Sequence, residues 1–180
     1  MDFDYEQQFL MSYKEHADAL FRYCYMKISD RERAKDLLQD VFLKAWQYLE
    51  KGNQVDNMKA FLFRTARNTV IDEYRKKKTN SLDALRDQGF DVGTDDHHDF
   101  LRVLDGERAL LLLGSIPETY RDPIYMQYVE NLTIKEIAAV LDETENNISV
   151  RIHRGLQKLR NILREQQEKM DAKIDITTTS

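Results

Sequence analysis

Apolar residues return every three or four positions along most of this chain, and only two prolines and six glycines interrupt the pattern. This spacing aligns apolar side chains on one face of an α-helix, whereas a half-buried strand requires strict alternation. Hydrophobic residues make up 42% of the 180 positions, which is enough to build true cores. The sequence therefore predicts an all-α protein with room for one or two small domains.

The first predicted helix, residues 5–28, should bury one apolar side. That side consists of Phe9, Tyr13, Ala17, Leu20 and Cys24. Because Cys24 is the single cysteine and lies on this stripe, we interpret it as a buried structural thiol rather than a nucleophile. Ser29 followed by Glu32 predicts a capping box at the start of the next helix.

That next helix has the most regular stripe in the chain. Its buried side should consist of Ala34, Leu37, Leu38, Val41, Phe42, Ala45, Trp46 and Leu49. The opposite side, which we call the Leu43 face, comprises Asp36, Gln39, Asp40, Leu43 and Gln47. An exposed leucine among carboxylates can mark a docking site, but single apolar residues are also common on ordinary surfaces.

A polar loop at residues 50–57 precedes a third helix, predicted at residues 59–78. Its core stripe should be Leu62, Phe63, Ala66, Val70 and Tyr74. The outward residues, which we call the basic aromatic face, are Phe61, Arg64, Thr65, Asn68, Asp72 and Arg75. Residues 61–78 carry a net charge of plus 4, which suits phosphates, and an aromatic ring offers a stacking plane for an unpaired base. The alternative is a solvated helix end whose lysines complement the helix dipole.

Composition changes abruptly after Lys78. Residues 79–106 contain seven aspartates and two arginines, and they predict a flexible acidic linker between two small helical domains. Within this linker, "DDHHD" at residues 95–99 offers residue types that can bind a metal, but contiguous ligands in a spacer do not converge on one ion. A solvated acidic spacer is the interpretation that we favour, so neither a metal nor a cofactor is predicted.

The second domain should begin near residue 105 and be helical throughout. Ser115 with Glu118, and Thr133 with Glu136, have the spacing of capping boxes. Pro117 suits a first helical turn, where its missing N–H is not needed. A short apolar helix after Thr133 is followed by a break, so a helix-turn-helix is predicted.

The stretch "ENNISVRIHRGLQKLR", residues 145–160, forms the second helix of that motif, and Thr144 can cap it. Ile148, Ile152, Leu156 and Leu159 should face inward. The outward residues, which we call the recognition face, are Asn146, Asn147, Ser149, Val150, His153, Arg154 and Gln157. Residues 145–164 carry a net charge of plus 4, and amide and guanidinium groups near the start of such a helix can read base edges. A surface helix of a bundle, the alternative, would more often alternate its charges.

The chain has no apolar run long enough to span a membrane, and its N-terminus is acidic where a signal peptide would be basic and then apolar. We therefore expect a cytoplasmic protein without membrane insertion. The formal net charge of −5 argues against a polyanion partner only as an average, because the linker acids offset the two basic helices.

Three segments carry a family resemblance: "AKDLLQDVFLKAWQYL", "AFLFRTARNTVIDEYRKKK" and "LTIKEIAAVLDETENNISVRIHRGLQKLR". In this order, they resemble the group 4, or extracytoplasmic function (ECF), sigma factors of bacterial RNA polymerase, within the sigma-70 family. The resemblance covers about residues 5–165. It implies sigma region 2 at residues 1–78, the linker at residues 79–104 and sigma region 4 at residues 105–165. The tail at residues 166–180 matches nothing in the family, and we expect it to be disordered, as chain termini often are.

The resemblance gives each face an expected role. The Leu43 face should dock on the clamp helices of the largest polymerase subunit. The recognition face should read the minus-35 promoter element, while another surface of the second domain binds the flap of the second-largest subunit. The loop and third helix should open the minus-10 element and hold a flipped base. The residues expected to do so are Asn53, Phe61, Arg64, Asn68, Asp72 and Arg75, of which three match the family's recurring "RN...D..R".

The resemblance also implies a non-catalytic initiation subunit, with core polymerase, promoter DNA and an anti-sigma factor as partners. Ser149 and Val150 stand where many members have a basic residue and a serine, and Asn146 and Asn147 replace the more usual Gly-Thr. The preferred minus-35 sequence is therefore not predicted. Two alternatives remain: a stand-alone helix-turn-helix regulator, which would bind duplex DNA without polymerase, and a metal-dependent nuclease, which would need the linker cluster.

Overall fold

The computed structural model describes residues 3–80 and 107–178, and all regular secondary structure within these ranges is α-helical. The helices are α1 (Phe3–Ile28), α2 (Arg31–Glu50), α3 (Met58–Asn80), α4 (Glu107–Gly114), α5 (Glu118–Tyr128), α6 (Ile134–Leu141) and α7 (Glu145–Thr178). The chain divides into two compact units, the first containing α1 to α3 and the second containing α4, α5 and α7. The predicted all-α class with two helical domains is confirmed, whereas the acidic linker and its "DDHHD" cluster fall on residues outside the described ranges.

The first unit is a bundle in which α1, α2 and α3 pack against one another. Aromatic rings fill much of the space between the helices. Phe9 of α1 meets Trp46 of α2 edge to face, with ring centroids 5.1 Å apart, and Tyr23 of α1 meets Phe63 of α3 at 5.7 Å. Cys24 is fully buried, as predicted, and burial raises the pKa of its thiol to about 12.

Two apolar assignments in this unit were wrong. Tyr13, predicted to be in the core, is 48% exposed, because only one side of its ring leans on Phe42, with centroids 4.7 Å apart. Tyr74, also assigned to the core, is 42% exposed, and its hydroxyl donates to the Lys27 carbonyl. The buried stripe of α3 ends on Glu73 instead, which is 6% exposed.

The start of α2 also differs from the prediction by one residue. Asp30, not Ser29, is the N-cap, and its carboxylate accepts a hydrogen bond from the Arg33 N–H at 3.0 Å. Ser29 has φ 55° and belongs to the end of α1, where its N–H donates to the Tyr25 carbonyl at 2.8 Å. A left-handed residue commonly terminates a helix in this way.

In the second unit, α5 packs closely along α7, and α4 contacts both helices. Gly155 of α7 lies at the closest point, since a Cβ added there would be 2.5 Å from Ile124 Cδ1 and 2.9 Å from Tyr120 Cβ. The Arg121 guanidinium anchors the chain before α5 by donating to the carbonyls of Leu113, Gly114 and Ile116 at 2.9 to 3.0 Å.

One prediction for this unit requires correction. Ser115 and Glu118 form no capping box: Pro117 is the N-cap without a side-chain bond, and the Ser115 hydroxyl donates back to the Leu112 carbonyl at 2.6 Å. Helix α7 continues to Thr178, into the segment at residues 166–180 for which a tail was predicted. No glycine or proline follows Gly155, and glutamate, glutamine, lysine and alanine favour the helix.

Candidate nucleic-acid interface

The Leu43 face lies on the exposed side of α2. Every one of its residues is exposed, and Leu43 keeps 55% of its surface in contact with solvent. The opposite side is buried at Ala34, Leu37, Val41, Phe42, Ala45 and Leu49. Leu38 and Trp46 of the predicted stripe are half-buried. The structure thus places a large, mostly exposed apolar side chain among carboxylates and amides.

The basic aromatic face occupies the outer side of α3. Arg64, Asn68 and Arg75 are exposed, and Thr65 is half-buried with its hydroxyl donating to the Phe61 carbonyl at 2.8 Å. The Phe61 ring is half-buried against Tyr48 of α2, with centroids 4.9 Å apart and planes tilted by 37°. This contact leaves part of an aromatic surface beside the exposed arginine and amide groups.

Asp72 lies between two cations rather than standing alone on this face. Its carboxylate is 3.7 Å from Arg75 Nη1 and 3.9 Å from Lys44 Nζ. Lys44 also donates to the Thr69 hydroxyl at 3.0 Å, which connects α2 to α3. A carboxylate so placed offsets part of the local positive charge, although exposed pairs of this length contribute little to stability.

The loop between α2 and α3 is held by specific bonds at both ends. Gly52, at φ 79°, ends α2 in the left-handed conformation that glycine adopts without strain. The Asn53 side-chain amide donates to the Tyr48 carbonyl at 2.9 Å, which satisfies one acceptor at the end of α2. The Asn57 carboxamide oxygen accepts from the Ala60 N–H at 2.9 Å and thereby caps α3. Asn53 therefore lies in a defined loop, exposed beside α3.

Helices α6 and α7 form the predicted helix-turn-helix, and local bonds define both of its caps. The Thr133 N–H donates to Glu136 Oε2 at 2.7 Å, and the Glu136 N–H donates to Thr133 Oγ1 at 3.2 Å. This reciprocal capping box starts α6. The helix ends at Asp142, with φ 58°, and the Glu143 N–H reaches back to the Ala138 carbonyl at 3.0 Å. Thr144 then caps α7 by accepting from the Asn147 N–H at 3.2 Å.

The recognition face is exposed along its whole length, and every one of its predicted residues is exposed. Ile148 and Ile152, on the opposite side of α7, are buried, while Leu156 and Leu159 are half-buried. The Ser149 hydroxyl donates to the Glu145 carbonyl at 2.9 Å and so belongs partly to the helix. Val150, 39% exposed, presents an apolar surface in the middle of the face.

Not every basic group of α7 belongs to the recognition face. The Arg151 guanidinium donates to the Thr119 carbonyl at the start of α5. Lys158 Nζ lies 5.6 Å from the centroid of the Tyr120 ring, a cation–π arrangement. These two contacts hold α7 on α5, so the local charge of plus 4 counted from the sequence exceeds the charge available to a ligand. The periodicity of α7 did not indicate these contacts with α5, since both partner residues lie more than thirty positions away in the sequence.

A second pair that periodicity did not indicate joins α2 to α3. Arg33 Nε donates to Glu73 Oε1 at 2.8 Å and Nη2 donates to Oε2 at 2.6 Å. The available signal was an acidic residue three positions beyond Val70, at a spacing that continues the buried stripe. A buried carboxylate requires a partner, and a basic residue on the neighbouring helix was the natural candidate.

Within the described residues, no group of three or more His, Cys, Asp or Glu side chains could hold a metal ion. The described helices also include none that is long and apolar enough to cross a membrane. The described parts of the chain therefore provide two helical units that present basic and polar helix faces, one of them the second helix of a helix-turn-helix. This arrangement defines a class: a two-domain helical DNA-binding protein.

Comparisons with known proteins specify the class further. The family model described as Sigma-70 region 2 matches residues 12–79, and the model described as Sigma-70, region 4 matches residues 106–159. The chain is 28% identical to the ECF RNA polymerase sigma factor SigW of Bacillus subtilis, over 83% of this chain and 86% of that protein. It is 29% identical to the ECF sigma factor SigL of Mycobacterium tuberculosis, over 85% of this chain and 87% of that protein.

A solved structure agrees with the fold. The sigma factor RpoE of Bartonella quintana, crystallised with the anti-sigma factor NepR, matches with a TM-score of 0.64 at 23% identity, covering 89% of this chain and 97% of that chain. The chain belongs to the sigma-70 family of RNA polymerase sigma factors, in the ECF group. Its function is to direct transcription initiation, and the alternative of a stand-alone regulator is not favoured.

Proposed function

We propose that this sigma factor acts as a non-catalytic initiation subunit in the cytoplasm, through three separate faces. The Leu43 face docks on the clamp helices of the largest subunit of core polymerase. The basic aromatic face, with Asn53, engages the minus-10 element, and the recognition face reads the minus-35 element. The observation that carries the proposal is Leu43, 55% exposed and surrounded by polar groups on a helix whose other side contributes six buried residues to the core.

At the minus-10 element, the chemistry needed is capture of an unstacked base and neutralisation of the phosphates beside it. Asn53 and Asn68 supply amide donors and acceptors, and the half-buried Phe61 ring supplies a stacking edge. Arg64 and Arg75 are exposed cations for the backbone of the displaced strand. Asp72, between Arg75 and Lys44, offsets part of their charge at this face.

At the minus-35 element, α7 enters the major groove with its first turns against base edges. Asn146 and Asn147 suit adenine, because a carboxamide can donate to N7 and accept from N6 of that base. Arg154 suits guanine. Val150 offers an apolar contact for a thymine methyl group. Ser149, His153 and Gln157 lie on the same side of α7 and can contact neighbouring bases or phosphates.

The remaining partners follow from the same faces. An anti-sigma factor holds the free protein by covering surfaces that core polymerase would occupy, which is supported by the solved complex of a related fold. Another surface of the second domain meets the flap of the second-largest subunit. We also propose the domain limits drawn from the sequence, residues 1–78, 79–104 and 105–165; the family models matched at residues 12–79 and 106–159 support a division of this kind.

Transcription in vitro from a promoter library, with and without core polymerase, tests the proposal. Specific transcripts should require both components, whereas a shifted DNA band from this chain alone, without transcript, would support a stand-alone regulator. In the same assay, Leu43→Glu should abolish core binding because it places a charge in an apolar contact. Leu10→Glu is the matched control, since Leu10 is 58% exposed on α1 of the same unit. Equal core affinity for the two variants would refute docking through the Leu43 face.

A further inference from the structure

The Arg33–Glu73 pair is unusual among the charged contacts of the first unit because one partner is buried. The Glu73 side chain is 7% exposed and that of Arg33 is 38% exposed. Two of the guanidinium nitrogens, Nε and Nη2, each donate to one carboxylate oxygen, at 2.8 and 2.6 Å. Such a fork-to-fork pair fixes direction as well as distance, because the two planar groups must align.

Because Glu73 is buried, α3 packs against α2 only in a position where Glu73 meets Arg33. A carboxylate taken out of water without a partner is strongly unfavourable. The hydrogen bond to Glu73 raises the pKa of the Arg33 guanidinium, which carries its charge at any physiological pH. If α3 rotated or slid by one residue against α2, Glu73 would lose Arg33, whereas apolar neighbours such as Val70 could repack. The pair therefore selects one register for the two helices.

That register joins the two proposed working faces of the first unit. Arg33 Nη1 also donates to Asp36 of the Leu43 face, at 3.3 Å. Glu73 directly follows Asp72 of the basic aromatic face. Farther along the same helices, Lys44 contacts Thr69 at 3.0 Å and Tyr48 contacts Phe61 at 4.9 Å between centroids. Arg33 is thus the one residue in these contacts that touches the docking side of α2 and the buried side of α3 together.

We propose that Arg33 and Glu73 are positioning residues for promoter opening: their bidentate pair fixes the basic aromatic face relative to the Leu43 face. The polymerase then presents α3 to the minus-10 element in one orientation only. This inference rests on the proposed function, because it assumes the roles given to those two faces. A pair that served folding alone would lower stability when broken but leave opening by the folded, core-bound protein unchanged.

The experiment uses the full chain assembled with core polymerase on a promoter labelled with a fluorescent base analogue in the minus-10 element. Glu73→Gln removes the charge with almost no change in volume, Arg33→Lys keeps the charge without the fork, and Arg33→Glu with Glu73→Arg exchanges the partners. Lys35→Gln is the matched control, since it removes the exposed 2.6 Å pair between Lys35 and Glu32 on the same helix. Each variant is measured for thermal midpoint, core affinity and opening rate per bound holoenzyme.

We expect Glu73→Gln to slow opening about tenfold, a usual coupling between contacting residues, with core affinity changed less than about twofold. Arg33→Lys should show a smaller loss, the exchanged pair should recover part of the rate, and Lys35→Gln should match the parent. A lowered thermal midpoint with normal opening, or an exchanged pair no better than the single variants, would overturn the proposal. Arg64→Ala tests the proposed function separately from the positioning role of the pair. Unchanged opening by this variant would overturn the proposed function of the basic aromatic face itself.

Discussion

Replacing Gly155 by alanine tests how α7 is held in the second unit. The new Cβ would be 2.5 Å from Ile124 Cδ1 and 2.9 Å from Tyr120 Cβ. Cδ1 is the far end of a flexible side chain and can rotate away. The Cβ of Tyr120 is attached to the α5 backbone, so relief of that contact requires α5 and α7 to separate by a few tenths of an ångström.

Two effects of opposite sign decide the outcome. Overpacking of a close helix contact costs about 1–3 kcal/mol, whereas alanine in place of glycine in a helix interior stabilises by about 1 kcal/mol. The net effect is a loss of about 1 kcal/mol in the free energy of unfolding. For a unit of this size, a loss of that magnitude lowers the thermal midpoint by about 4–8 °C.

Urea and thermal unfolding of the full chain, followed by circular dichroism, measure this difference. Asn161→Ala is the matched control, because Asn161 is exposed on the same helix and the change alters propensity without a clash. Adding Ile124→Val to Gly155→Ala removes the nearer contact and should recover part of the loss. If Gly155→Ala alone is stabilised by as much as the control, helix propensity outweighs the contact and the close approach does not constrain α7.

Three further outcomes are expected. Arg154→Ala should weaken promoter use by about 1–3 kcal/mol at one base position, measured by promoter selection; an equal loss for all sequences would mean a phosphate contact only. Cys24 should resist alkylation until the protein unfolds, because burial raises its pKa from 9.0 to about 12. Because the pKa of Cys24 is higher in the folded than in the unfolded protein, the contribution of the buried thiol to stability is complete below pH 9 and is lost as the pH rises toward 12. Unchanged stability between pH 9 and pH 12 would contradict this prediction. Thr133→Ala should reduce unfolding free energy by about 1 kcal/mol in urea titrations, and Glu136→Ala should add little more because the two share one capping box.

Helix α2 shows what the sequence can determine. Its apolar residues repeat so regularly that both its buried stripe and the exposed Leu43 face follow from spacing alone. Helix α3 shows where spacing stops being sufficient, because positions three and four beyond Val70 both fit a stripe. Tyr74 is the more apolar choice, yet Glu73 is buried. Which of the two is buried depends on Arg33, forty residues away, because its guanidinium binds the Glu73 carboxylate.

The helix caps likewise include some that the sequence predicts and some that only the structure assigns. Thr133 and Glu136 were predictable because a capping box is closed by two side chains of one turn. At the start of α2, Ser29 and Asp30 are both good caps, and only the left-handed backbone of Ser29 assigns it to the preceding helix. On the recognition face, exposure was predictable from rotation. The commitment of Arg151 to α5 was not, since it depends on tertiary packing.

The charge distribution predicts that this chain binds DNA weakly in the absence of polymerase. Its net charge is −5, while residues 61–78 within α3 and residues 145–164 at the start of α7 each carry plus 4. The Debye length at physiological ionic strength is about 8 Å, so a phosphate at either face senses the local cations and not the distant acids. At longer range, the net negative charge gives no electrostatic steering toward DNA. On α7, Arg151 donates to the Thr119 carbonyl and Lys158 lies over the Tyr120 ring, so these two cations are less available to phosphates. Binding by either face alone should therefore be weak, and the two become effective when one holoenzyme holds both on the same promoter, which converts the second contact into an intramolecular one.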